Sequence, residues 1–256
     1  MLILSGDRNT NTSKLFHFCL GTASLLMSVN LFATFSSGAH AQAIAQFDGS
    51  GPSKSLYDRP TPNRTDVDTI VDRGADLWEK KQSTEALAEF DRAIAINSRY
   101  DRAWSWRASA LNSLRRYTEA VSSANQAIAL NPNNAYAQAN RGFALEKLER
   151  YAESLAAYER SAEIDPKLDF AWKGVSAQLN FLARYEEALT AANKAIQLNA
   201  NDAYSFANRG YALERLRRYD AALEAYKQAV RISPRDSFLA GYRDRLEKRL
   251  RERVDL

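Results

Sequence analysis

The sequence predicts an all-α solenoid of five stacked helical hairpins, closed by a capping helix and preceded by an export leader. Three observations carry the prediction. A 34-residue period returns five times without an insertion, apolar and small residues recur at three- and four-residue spacing inside every block, and all cysteine and histidine lies in the first forty residues.

The leader comes first. Arg8 and Lys14 form a short positive region, residues 15–35 are mostly apolar, and Ser36 to Ala41 are small or polar. Ala39-His40-Ala41 fits a small-x-small cleavage site, so residues 1–41 read as a signal peptide with Gln42 as the new N-terminus. An uncleaved membrane anchor is the other reading, because about 20 apolar residues span a bilayer. His17, Ser28 and Asn30 weaken such a span. Cys19 follows Phe18, whereas lipidation favours a small residue there, so it reads as an apolar residue of the leader. Residues 42–66 hold Gly49, Gly51, Pro52, Pro60 and Pro62 among polar residues and read as a linker.

The five blocks are 67–100, 101–134, 135–168, 169–202 and 203–236. Each closes on a similar stretch, from EALAEFDRAIAINS at Glu85 to AALEAYKQAVRISP at Ala221. Each is expected to hold two amphipathic helices around a short turn. Tyr117, Tyr151, Tyr185 and Tyr219 follow that turn, where a ring can wedge the hairpin. Small residues mark the close approaches: Gly74, Ala108, Gly142, Ser176 and Gly210 in the first helix, then Ala86, Ala120, Ser154, Ala188 and Ala222 in the second. Pro132, Pro166 and Pro234 stop a helix before the next block. Ser98 and Ala200 replace that proline, which leaves Asp101 and Asp202 as candidate N-caps. Residues 237–256 give a last, densely charged helix suited to capping the stack.

A second period lies above the first. Blocks two and four agree at about half of their positions, as do blocks three and five, while blocks two and three agree at about a quarter. NNAYAQANRGFALEKLERY at Asn133 returns as NDAYSFANRGYALERLRRY at Asn201. The array therefore repeats in units of two hairpins.

The small-residue slots and the closing A-x3-F-like stretch followed by proline resemble the tetratricopeptide repeat, over about two-thirds of the chain. That resemblance implies a right-handed superhelix with the first helices on a concave, peptide-binding face. Trp106, Tyr136, Asn140, Phe143, Phe170, Lys173, Phe181, Tyr204, Asn208 and Tyr211 fall on those helices, with Asn112 beside them. Rings supply apolar area at low entropy cost and amides pair with a peptide backbone, so these residues are the expected groove. Asn140 and Asn208 share one slot two blocks apart and are expected to face it. Lys173 with Asn208 matches part of the clamp by which some family members hold a C-terminal carboxylate. Ala177 stands where that clamp needs Asn and no later block supplies its third helix, so the clamp is not expected.

Composition narrows the function further. Beyond Ala41 there is no thiol or imidazole, so no zinc site, disulfide, haem ligand or nucleophile–histidine pair is expected there. No phosphate-cradling glycine motif occurs, so no nucleotide or other cofactor is expected. The net charge of +4 is spread over mixed-sign blocks, which argues against nucleic acid. A membrane contact is expected only through residues 15–35 if they stay uncleaved. The reading is a non-catalytic scaffold for a protein or peptide partner in an exported compartment, or a membrane-anchored assembly factor.

Overall fold

The computed structural model describes residues 66–254; the segment expected to be a leader, 1–41, and all but the last residue of the expected linker, 42–66, lie outside the described residues. Eleven helices and no strand occur among them. They pair into hairpins: α1 (Asp66–Glu79) with α2 (Ser83–Ile96), α3 (Asp101–Ser113) with α4 (Tyr117–Leu130), α5 (Ala135–Lys147) with α6 (Tyr151–Ile164), α7 (Asp169–Phe181) with α8 (Tyr185–Leu198), and α9 (Ala203–Arg215) with α10 (Tyr219–Ile232). The last helix, α11 (Ser237–Val254), stands where a sixth first helix would begin.

Each hairpin turns in the same way. Lys81, Arg115, Glu149, Ala183 and Arg217 take φ near +60°, one per turn, although none is glycine. The amide of the following residue then donates five residues back, as Arg116 does to Leu111 and Arg184 to Leu179, which satisfies carbonyls the helix end leaves open. Between hairpins, Asn97, Asn131, Asp165 and Asn199 accept from the amide two residues on, forming side-chain-closed turns.

Caps differ in part from expectation. Asp202 caps α9, accepting from the Ser205 amide at 2.9 Å. Asp101 does not cap α3; it is the first helical residue, and its carboxylate accepts from Asn131 and Asn134 at 2.9 Å. Asn134 caps α5 instead. The turn tyrosines also act across hairpins. Tyr117 meets Phe143 edge-on, Tyr151 lies 3.6 Å from Phe181 centroid to centroid, and Tyr185 meets Tyr211 edge-on. Each ring thus docks the next hairpin.

Consecutive first helices touch one another, whereas successive second helices make no comparable contact. The first helices therefore line the inner side of the curve. Small residues set the approach of first helices to the second helix they pack on: a Cβ on Gly142 would stand 3.0 Å from the Tyr158 ring of α6, and one on Gly174 of α7 would stand 2.5 Å from it.

The apolar core is segmented. One cluster runs mainly through hairpins one and two, a second through three and four, and a third through five and α11. Within clusters the joints are aromatic: Trp106 stacks on Phe90 at 5.9 Å, Tyr158 meets Phe170 edge-on at 5.9 Å, and Tyr226 stacks on Tyr242 at 5.2 Å. Between clusters, where Ala124 and Ala192 replace those rings, amides close the joint. Asn140 donates to the Ser105 carbonyl and the Ser109 hydroxyl, while Asn112 donates to the Asn140 carbonyl. Asn208 repeats this with Lys173 and Ser176, and Asn180 donates to the Asn208 carbonyl. This alternation is the physical content of the two-hairpin period.

Candidate peptide-binding face

The first helices bring the predicted groove residues to one side of the stack but bury four of the ten. Trp106 is interior, wedged between Phe90 and the edge of Trp78. Phe143 and Phe170 are buried beneath Lys147 and Lys173, whose ammonium groups lie 5.0 and 5.4 Å from the ring centroids. Asn140 is buried and Asn208 half-buried, both spent on the seams just described, so the expectation that they face a ligand is corrected. The reason is geometric. Their slot points along the stack at the preceding first helix, and the buried amide finds its own acceptors there, on the second lone pair of a helix carbonyl and on a serine hydroxyl. Asn112 is buried for the same purpose.

Tyr136, Lys173, Phe181, Tyr204 and Tyr211 remain half-exposed. Lys173 is partly neutralised by Asp202 at 3.4 Å. The Tyr204 hydroxyl donates to Asp236 at 2.7 Å, which fixes its ring beside the α11 start. Tyr136 also walls a cleft of about 510 Å³ that opens along the loops between hairpins, with Tyr100, Arg102, Asn131, Asn134 and Asp165. Partial burial, with a hydrogen bond donated to Asp68, pushes the pKa of the half-buried Tyr100 hydroxyl up to about 12.

Glu146 was not singled out in the sequence. It is buried on the same helices, held by Lys147 and Gln178 at 2.8 Å, and burial pushes its carboxyl above the usual range. Its sequence signal is faint: Glu146 and Glu214 share a slot in hairpins three and five. Arg73 and Arg107, which share one slot of the first helix, reach carboxylates of the second helix, Arg73 on Glu89 and Arg107 on Asp91.

Models of the tetratricopeptide repeat match residues 71–135, 113–169 and 203–236, more than half of the chain. The chain belongs to the tetratricopeptide repeat family. Solved structures agree at the level of fold. YrrB, described as a TPR protein with an unusual peptide-binding site, shares 21% identity over 70% of this chain and 92% of its own, with a TM-score of 0.55. The TPR protein TTC0263 of Thermus thermophilus shares 17% over 70% and 98%, at 0.58. PilF of Pseudomonas aeruginosa shares 17% over 73% and 86%, at 0.64. A search of curated proteins finds no match. Tetratricopeptide arrays are protein-interaction scaffolds, and this chain carries that architecture.

Proposed function

We propose that the array is a non-catalytic scaffold that holds an extended peptide of a partner protein along its inner face. The observation that carries this reading is the row of half-exposed Tyr136, Lys173, Phe181, Tyr204 and Tyr211 on consecutive first helices, backed by seams that keep those helices in register. Rings with little rotamer freedom, fixed on a rigid support, lose little entropy on binding. Panning a random peptide library on the protein tests it. Peptides should be recovered that bind the parent and lose about tenfold or more on Tyr211→Ala or Phe181→Ala, as hot-spot aromatics do. Selected peptides indifferent to both substitutions would move the site off this face.

The leader supports an exported location, with cleavage after Ala41 releasing the array; retention of residues 15–35 would make it a membrane-anchored assembly factor. The mass of the mature chain decides between the two.

A further inference from the structure

The charge of the array is polarised along its length. Residues 66–202 hold seventeen Lys and Arg against twenty Asp and Glu, whereas residues 203–256 hold thirteen against eight. Residues 237–254 contribute six cations against three carboxylates, and a local change in the fifth hairpin adds to the excess. In the second, third and fourth hairpins the arginine after the turn closes on a glutamate three residues on: Arg116 on Glu119, Arg150 on Glu153, Arg184 on Glu187. The fifth hairpin has Ala221 at that position, and Arg218 reaches across to Glu186 instead.

Tyrosine rings take the place of carboxylates there. The Arg215 guanidinium lies 5.2 Å from the Tyr185 centroid, Arg249 lies 5.2 Å from Tyr219, and Arg245 lies 4.9 Å from Tyr242. Arg249 also stands 3.5 Å from Glu214, so it overhangs the turn that carries the exposed Arg217. Arg215, Arg217 and Arg245 have no ion-pair partner among the described residues. A guanidinium laid on a ring keeps its hydrogen-bonding edge open and loses little freedom when a carboxylate docks bidentately.

We propose that this end of the groove, around Arg215, Arg217 and Arg249, binds an acidic segment of the partner protein, so that the peptide runs with its carboxylate-rich part toward α11. The inference rests on the peptide-groove reading and adds the partner's chemistry and direction. Charge complementarity selects the occupant. An anionic bilayer is the poorer match: α11 mixes Asp244, Glu247 and Glu252 among its cations, and the large exposed apolar residues Ile96, Leu130 and Leu182 all lie elsewhere.

Fluorescence anisotropy on the full chain tests it, with a labelled Glu-rich peptide bearing one Tyr and a counterpart in which every Glu is Gln. The Glu peptide should bind about tenfold or more tightly than the Gln peptide and weaken as salt is added. Arg215→Gln with Arg249→Gln should remove most of that preference, while Lys80→Gln with Lys81→Gln, at the far end, should not. Arg217→Gln changes an exposed side chain and should lower the preference by itself. Equal binding of the two peptides, or indifference to Arg217→Gln and the double change alike, overturns the proposal. So does tighter binding of phosphatidylserine vesicles or a single-stranded oligonucleotide through the same arginines. Library peptides that still depend on Tyr211 and Phe181 would then leave the groove reading standing without this one.

Discussion

At the scale of single residues, the turns hold the clearest unspent stability. Ala183 sits at φ 61°, exposed, in a conformation where an L side chain crowds the following carbonyl. Glycine relieves that crowding and loses somewhat more chain entropy on folding. Ala183→Gly should therefore stabilise the array by about 1 kcal/mol, seen as a raised denaturant midpoint at unchanged m; a lowered midpoint would mean that the turn is not the left-handed one described. The same scale shows where sequence reading stops. Periodicity identifies Asn140 and Asn208 as one slot of the first helix, and both are there. A helical wheel cannot tell a slot that faces the groove from one that faces the neighbouring helix, because stacked helices cover part of the inner face. Here the carbonyls of Ser105 and Lys173 decided it.

At the scale of elements, helix packing in this array depends on which joints carry a ring. Phe90, Ala124, Tyr158, Ala192 and Tyr226 share one slot of the second helix and alternate large with small. Facing the three rings across their joints stand Trp106, Gly174 and Tyr242, and Asn140 and Asn208 hold the same slot at the other two joints. The two-hairpin period is legible in the sequence, whereas the complementary volumes show only once the slots are placed against each other in the fold. Gly174 was not singled out, because it departs from the small-residue slot that the other repeats use; its reason is the Tyr158 ring. Gly174→Ala should cost about 1 to 3 kcal/mol, since the ring is enclosed and cannot retreat. Gly241→Ala, on the open side of α11 with nothing within 4 Å, should instead gain up to about 1 kcal/mol. Thermal melts of the two variants should move in opposite directions, and a matched fall would sink the joint assignment.

At the scale of the whole molecule, a stack whose hairpins touch only their neighbours has a stability close to a sum of unit and interface terms. The interfaces here are of two kinds. Rings fill the buried joints inside each cluster, whereas the seams between clusters rest on small residues, one edge-on turn-tyrosine pair each and a few amide bonds, each worth about 1 kcal/mol net. Thermal opening should therefore break the array at the seams, between hairpins two and three and between four and five. Native-state hydrogen exchange read by fragment mass checks this. Residues 66–134, 135–202 and 203–254 should open as three blocks with distinct free energies, and Asn140→Ala should lower the opening cost of the first block against the second by about 1 to 3 kcal/mol, since it removes the buried hydrogen bonds that the amide makes across the seam to the Ser105 carbonyl and the Ser109 hydroxyl. The same variant should leave Tyr211-dependent peptide binding unchanged, because the amide serves the seam and the ring serves the groove. Exchange that proceeds hairpin by hairpin, or all at once, would show that rings and amides hold the joints equally, and the two-hairpin period would then record only how the gene grew.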